Sequence, residues 1–115
     1  MNESCVFCKI QAGIIPSKKV VENEHVFVIQ DIAPKAPIHY LIIPKKHIVD
    51  VTCFEQEDSD IMSAMMLMAK QLSKIDERAH SFKLQINTGV AVGQSVLHVH
   101  FHFLAGKANW HEWKV

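Results

Sequence analysis

Leu97-His98-Val99-His100-Phe101-His102-Phe103-Leu104 is the stretch on which the reading of this chain turns. Apolar and imidazole side chains alternate through it, and in a β-strand alternate side chains point to opposite faces. A strand from about Ser95 to Leu104 therefore lines one face with His98, His100 and His102 and buries Val99, Phe101 and Phe103 on the other. At a rise of about 3.3 Å per residue the outer two histidines lie roughly 13 Å apart, so a single phosphoryl group is within reach of two neighbouring rings but not of all three. The three must divide their labour. Residue types alone leave three roles open. Neighbouring imidazoles at i and i+2 can ligate one metal ion; an imidazole can act as nucleophile or general acid-base group; or the rings belong to the core, each then needing a hydrogen-bond partner. The loop Gly93-Gln94-Ser95 just before the strand offers backbone and hydroxyl donors to an anion.

Upstream, Phe82, Leu84 and Ile86 alternate with Lys83, Gln85 and Asn87, the pattern of a strand over Ser81 to Asn87 with one wet face. Before it, Ile61, Met65, Met68, Leu72, Ile75 and Ala79 recur every three or four positions and predict one long helix from Glu55 to about His80. Glu55, Glu57, Asp58 and Asp60 near its start and Lys70, Lys74 and Arg78 near its end complement the helix dipole. Met62, Met66 and Leu67 widen the apolar stripe beyond what one sheet face covers, which requires a wide core or a dimer contact. His39 to Ile43, between Pro37 and Pro44, reads as a strand buried on both faces. Lys19 to Glu22 and His25 to Asp31 read as a hairpin around Asn23-Glu24. Cys5 to Gln11 has helical spacing and stops at Gly13, with Pro16 beyond. Strands joined mostly by short turns around one long helix predict an α+β fold on an antiparallel sheet.

The 115 residues are too few for two cores and enough for one, so residues 1–115 are expected to form a single domain. A hydrophobic content of 49% excludes a disordered or low-complexity chain. Twelve basic and twelve acidic residues cancel, so no global field draws the chain to nucleic acid or an anionic membrane, and any phosphate must be held by local groups. The N-terminus has no basic segment followed by an apolar run, and no apolar stretch is long enough to span a bilayer. A soluble, cytoplasmic protein is expected. Three cysteines suit no disulfide framework; Cys5 and Cys8, separated by two residues, suit a shared metal or a redox pair, and Cys53 reads as a buried, small apolar residue.

His98-Val99-His100-Phe101-His102-Phe103-Leu104 resembles the His-φ-His-φ-His-φ-φ signature of the histidine triad family, φ being apolar. Phe27 to Ile48, containing Asp31-Ile32-Ala33-Pro34 and Pro44-Lys45-Lys46-His47, is similar to the other characteristic segment of its Hint branch, the nucleoside phosphoramidases. Asn87-Thr88-Gly89, Gly93-Gln94-Ser95 and Asn109-Trp110 fall in family order. The resemblance implies a five-stranded antiparallel sheet with one long helix and a short N-terminal helix, paired as a homodimer. It implies a hydrolase of purine nucleoside phosphoramidates, and of aminoacyl adenylates, working through a covalent nucleotidyl-histidine. His100 takes the place of the nucleophile, His102 and Ser95 contact the phosphate, and His39 supports them. Asp31 receives the ribose, Ile32 and Ile10 lie against the base, and Asn87 and Gly93 belong to the nucleotide site. On its own Asp31 reads as a turn-former.

The same resemblance implies a structural zinc on Cys5, Cys8, His47 and His98, a full tetrahedral shell without an open position, and no catalytic metal. The alternatives are a dinucleoside polyphosphate hydrolase of the same family and a non-catalytic nucleotide- or zinc-binding module. The terminal run Asn109-Trp110-His111-Glu112-Trp113-Lys114-Val115 departs from the branch, which often has Trp followed by prolines, and this leaves the leaving-group preference open.

Overall fold

The structure is a computed structural model and describes residues 4–106 and 109–115. Its elements are α1 (Val6–Gln11), β1 (Lys19–Glu22), β2 (Val26–Gln30), β3 (Ile38–Pro44), α2 (Ser59–Leu72), β4 (Phe82–Gln85) and β5 (Phe101–Ala105). The strands form one antiparallel sheet in the order β1-β2-β3-β5-β4, the five-stranded α+β fold that the sequence predicts.

Each face of the sheet has its own cover. Val26, Val28, Ile42, Phe101 and Phe103 pack with Met65, Met68, Ala69 and Leu72 of α2, all buried. On the opposite face Phe27, Ile29, Leu41 and Ile43 meet Cys5, Phe7, Cys8 and Ile10 of the α1 region. Strand alternation thus sends the aromatic side chains of β5 towards α2 and its histidine towards α1. Burying a side chain such as Met68 or Leu72 contributes about 1.5–3 kcal/mol.

Three expectations need correction. Cys53 is exposed, not buried, because it ends a surface 3-10 turn, Val51–Cys53, that has no buried residue. The long helix does not run from Glu55 to about His80. Glu55 and Asp58 form a reciprocal capping box, Asp58 Oδ2 accepting the Glu55 N–H at 2.9 Å, that opens a 3-10 turn over Gln56–Asp58, and the α-helix proper begins only at Ser59. It ends at Leu72 because Ser73 turns its hydroxyl back onto Lys70 O (2.6 Å), a bond that competes with the helix backbone, and Asp76 caps a separate 3-10 turn, Glu77–Ala79. Lys74, Ile75, Arg78 and Ala79 therefore lie beyond α2, although Ala79 still reaches the core.

The final strand is also shorter than Ser95 to Leu104: pairing begins at Phe101, opposite Ile42. Pro44 has no N–H to continue the ladder. The chain before Phe101 is held instead by Val99 N–H to Ile48 O at 2.6 Å and by the His98 side chain on Pro44 O. His98 and His100 consequently precede β5, and only His102 lies within it.

Candidate active site and metal centre

Sheet pairing sets His102 opposite Leu41 and, on its other side, Gln85, while His39 on β3 lies opposite Leu104. His39, His98, His100 and His102 are all buried, yet none is orphaned. The hydrogen bonds fix which nitrogen of each neutral ring carries the proton. The Lys35 N–H donates to His39 Nδ1 at 3.0 Å, so His39 is protonated on Nε2 and donates to His102 Nδ1 at 2.9 Å. His102 must then carry its own proton on Nε2. His100 donates from Nδ1 to the carbonyl of His98 at 2.8 Å, which leaves the lone pair on Nε2. A bare nitrogen and a proton donor thus stand on neighbouring rings, 4.9 Å apart between centroids.

Burial keeps this set neutral. It pushes the His102 imidazole down to about 4 and lowers His100 and His39 from their ordinary value, the nearby Asp31 carboxylate opposing the shift in part. Asp31 has two functions. Oδ1 accepts the Ala33 N–H at 2.8 Å, the Asx turn that its sequence context predicts, while Oδ2 lies 3.5 Å from His39 Nε2.

His100 and His102 line a cleft of about 350 Å³ together with Asp31, Ile32, Ile10 and Ser95, six of the residues expected there. Ile32 is fully exposed at its rim. Asn87 and Gly93 do not line it; they stand together behind, a Cβ on Gly93 coming within 3.6 Å of Asn87 Nδ2. Gly93 has φ +97°, a turn conformation open to glycine at little cost. Most of the remaining lining, including Phe7, Ile15 and Leu41, is apolar and was not singled out in the sequence. Helical spacing marks Phe7 only as buried. Its place between two metal-type cysteines hides a second role, edge contacts to the rings of His98 (5.7 Å) and His100 (5.1 Å).

Cys5, Cys8, His47 and His98 converge at the end of the row away from His102. His98 donates from Nε2 to Pro44 O at 2.8 Å, so its Nδ1 lone pair faces the cluster. That nitrogen lies 3.2 Å from Cys5 Sγ, 3.6 Å from Cys8 Sγ and 3.1 Å from His47 Nδ1, and Cys8 Sγ lies 3.4 Å from His47 Nδ1. A tetrahedral ion with bonds of about 2.0 Å to nitrogen and about 2.3 Å to sulfur has edges of about 3.3–3.8 Å, close to these separations. The cluster can hold a metal ion. Burial lowers the His98 imidazole to about 4, which keeps it the neutral lone-pair donor that a metal needs, and raises the Cys5 thiol, whose proton a bound cation would have to displace. A second convergence, Asp31, His39 and His102, fits a metal poorly: the Lys35 N–H already occupies His39 Nδ1, and a cation on Nε2 would leave that ring without a proton.

The profile described as "Scavenger mRNA decapping enzyme C-term binding" matches residues 4–113. Protein HitA of Neisseria gonorrhoeae is 37% identical over 102 residues, 89% of this chain and 95% of HitA. The chain belongs to the histidine triad family. Among solved histidine triad structures, the HIT family hydrolase of Clostridium thermocellum superposes with a TM-score of 0.89 at 39% identity, covering 96% of both chains. The histidine triad nucleotide-binding protein of Candida albicans gives 0.82 at 33%, covering 90% of this chain and 76% of that one. In the triad of this chain the three histidines are unequal: His98 faces thiols, His100 carries a free lone pair, and His102 carries a proton.

Proposed function

We propose that this protein hydrolyses purine nucleoside phosphoramidates, and aminoacyl adenylates, in two steps through a nucleotidyl-histidine on His100. The observation that carries the reading is the proton arrangement of the triad. Neutral His100 Nε2 attacks the α-phosphorus, and a P–N bond to histidine forms as the bond to the leaving group breaks; an amine departs with a proton drawn from solvent water, whereas an aminoacyl adenylate releases a carboxylate that needs none. His102 Nε2–H and Ser95 donate to the non-bridging oxygens, the charge stabilisation on which phosphoryl transfer depends. His39 holds His102 in the donating tautomer. Water then attacks phosphorus, the P–N bond breaks, and the mononucleotide leaves with His100 restored. Asp31 Oδ2 receives the ribose hydroxyls, Ile10 and Ile32 cover the base, and Asn87 and Gly93 support the phosphate side. The solved relatives described as a hydrolase and as a nucleotide-binding protein agree with this assignment.

The four-ligand cluster is assigned a structural zinc, since two thiolates and two imidazoles leave no open position for water or substrate. The assembly is assigned as a homodimer, supported by the exposed Met62, Met66 and Leu67 on α2 and by β4 at the edge of the sheet. No helix among the described residues is long and apolar enough to cross a membrane, and the described cysteines are free thiols, which agrees with a cytoplasmic setting.

Turnover of an adenosine 5'-phosphoramidate beside a diadenosine polyphosphate tests the reading. Faster release of AMP from the phosphoramidate is expected. Preference for the dinucleotide would reassign the protein to the polyphosphate hydrolases, and turnover of neither would leave a binding module.

A further inference from the structure

The loop 89–96 contains no strand and no α-helix, yet it carries Ser95 to the cleft. What shapes it is a buried glutamine. Gln94, 3% exposed, spends its side chain on three backbone groups, two at the ends of its own loop and one on a separate stretch of chain. Oε1 accepts the Gly89 N–H at 2.8 Å, and Nε2 donates to Val49 O at 2.7 Å and to Val96 O at 3.1 Å. Gly89 follows Asn87 by two residues, Val49 follows the cluster residue His47 by two, and Val96 follows Ser95. The backbone N–H groups of Gly93 and Gln94 turn inward onto Val90 O (3.0 Å) and Gly89 O (3.1 Å). Ser95, by contrast, gives neither its N–H nor its hydroxyl to any hydrogen bond among the described residues. The loop therefore spends the N–H groups of Gly89, Val92, Gly93 and Gln94 internally and leaves the Ser95 pair unspent where that residue lines the cleft.

We infer that Gln94 is the positioning residue of the phosphate subsite: it touches no substrate but fixes the Ser95 donors relative to His100 and His102. The inference rests on the proposed nucleotide site and goes beyond it by assigning the phosphate increment of binding to one buried side chain. Geometry of this kind matters because a displacement of about 1 Å in a group facing the reacting centre can cost about a hundredfold in rate. Ribose and base are received elsewhere, at Asp31, Ile10 and Ile32, so losing Gln94 should remove the phosphate increment and spare the nucleoside.

Calorimetry on the full chain with adenosine and with AMP, alongside kinetics on an adenosine phosphoramidate, tests this with Gln94→Met, which keeps volume and loses all three bonds. Adenosine affinity is expected to stay within about twofold, the advantage of AMP over adenosine to fall about tenfold or more, and kcat to fall about a hundredfold. The Ser95 amide resonance should shift while that of Asp31 does not. If Gln94→Met does not fold, Gln94→Glu carries the same test, because it keeps an acceptor for Gly89 and opposes a carboxylate oxygen to the carbonyls of Val49 and Val96. A variant that retains the AMP advantage and kcat overturns the role of Gln94 alone. Wild-type protein that binds AMP no better than adenosine overturns the phosphate site itself, and the role with it.

Discussion

His102 is protonated on Nε2 because of a chain of donors that starts at the backbone of Lys35 and passes through His39. A buried imidazole held neutral also carries a stability signature. In the unfolded chain histidine titrates near pH 6.5, whereas folded His102 resists protonation down to about 4. The native state therefore binds fewer protons than the unfolded state below pH 6.5, and stability falls as the pH drops from there towards 4, while above 6.5 these groups have no effect. Carboxylates such as Asp58, lowered by its Lys46 partner, lose their contribution only below the ordinary carboxylate range, so the window between belongs to histidine. The melting midpoint is expected to decline steadily from pH 6.5 to 5 and to decline less in His102→Gln. A midpoint flat from pH 7 to 5 would contradict the neutral assignment. The sequence made the three histidines legible, since alternation alone separates them from the aromatic side chains. Alternation could not divide their roles, which only the family resemblance suggested, because the division depends on carbonyls and amides of Pro44, Lys35 and His98 that are invisible in side-chain pattern.

Helix α1 is only Val6–Gln11, too short to be stable alone, and is tied down at both cysteines. Cys5 caps it, its sulfur accepting from the Cys8 N–H at 3.4 Å, and the two thiols face His47 and His98. If zinc occupies this cluster, protein purified without added metal should contain about one ion per chain, and Cys8→Ser should lose it together with several degrees of melting midpoint. Elemental analysis below about 0.2 zinc per chain with fully reduced thiols would count against the assignment. The longer helix gives a different contrast. Leu72 is wholly buried and Ile75, just beyond the helix, is 54% exposed, so Leu72→Ala should cost about 2–5 kcal/mol in chemical denaturation and Ile75→Ala far less. Equal losses would contradict the burial pattern. Periodicity located α2 but not its end, because Ile75 and Ala79 continue the apolar spacing after Ser73 and Asp76 have redirected the backbone. The stop signal lay in two small polar side chains that read equally well as solvent-facing helix positions.

At the scale of the whole molecule, one sheet separates a structural half, covered by α2, from a chemical half covered by α1. That division was legible from strand alternation and helix count, whereas the strand order, with β5 between β3 and β4, follows from register and not from any local pattern. The exposed side of α2 carries Met66 and Leu67, and a charge there should break a hydrophobic contact between copies, since a buried unpaired charge costs several kcal/mol. Sedimentation at micromolar concentration should give twice the 13.1 kDa chain mass, with Met66→Glu shifted towards monomer; a wild-type monomer would remove the dimer. The terminal segment adds to the chemical half, with Trp113 buried and the Lys83 ammonium donating to its carbonyl at 2.9 Å, while Trp110 stays exposed. The central claim is that His100 alone becomes covalently bonded to the nucleotide. Acid quenching during steady turnover of an adenosine phosphoramidate, followed by peptide mass spectrometry, should find an adenylyl group on His100, with His100→Ala lowering kcat by several decades, as removal of an acting nucleophile does. An adduct on His102 or His98, or a loss in His100→Ala below about tenfold, would contradict it.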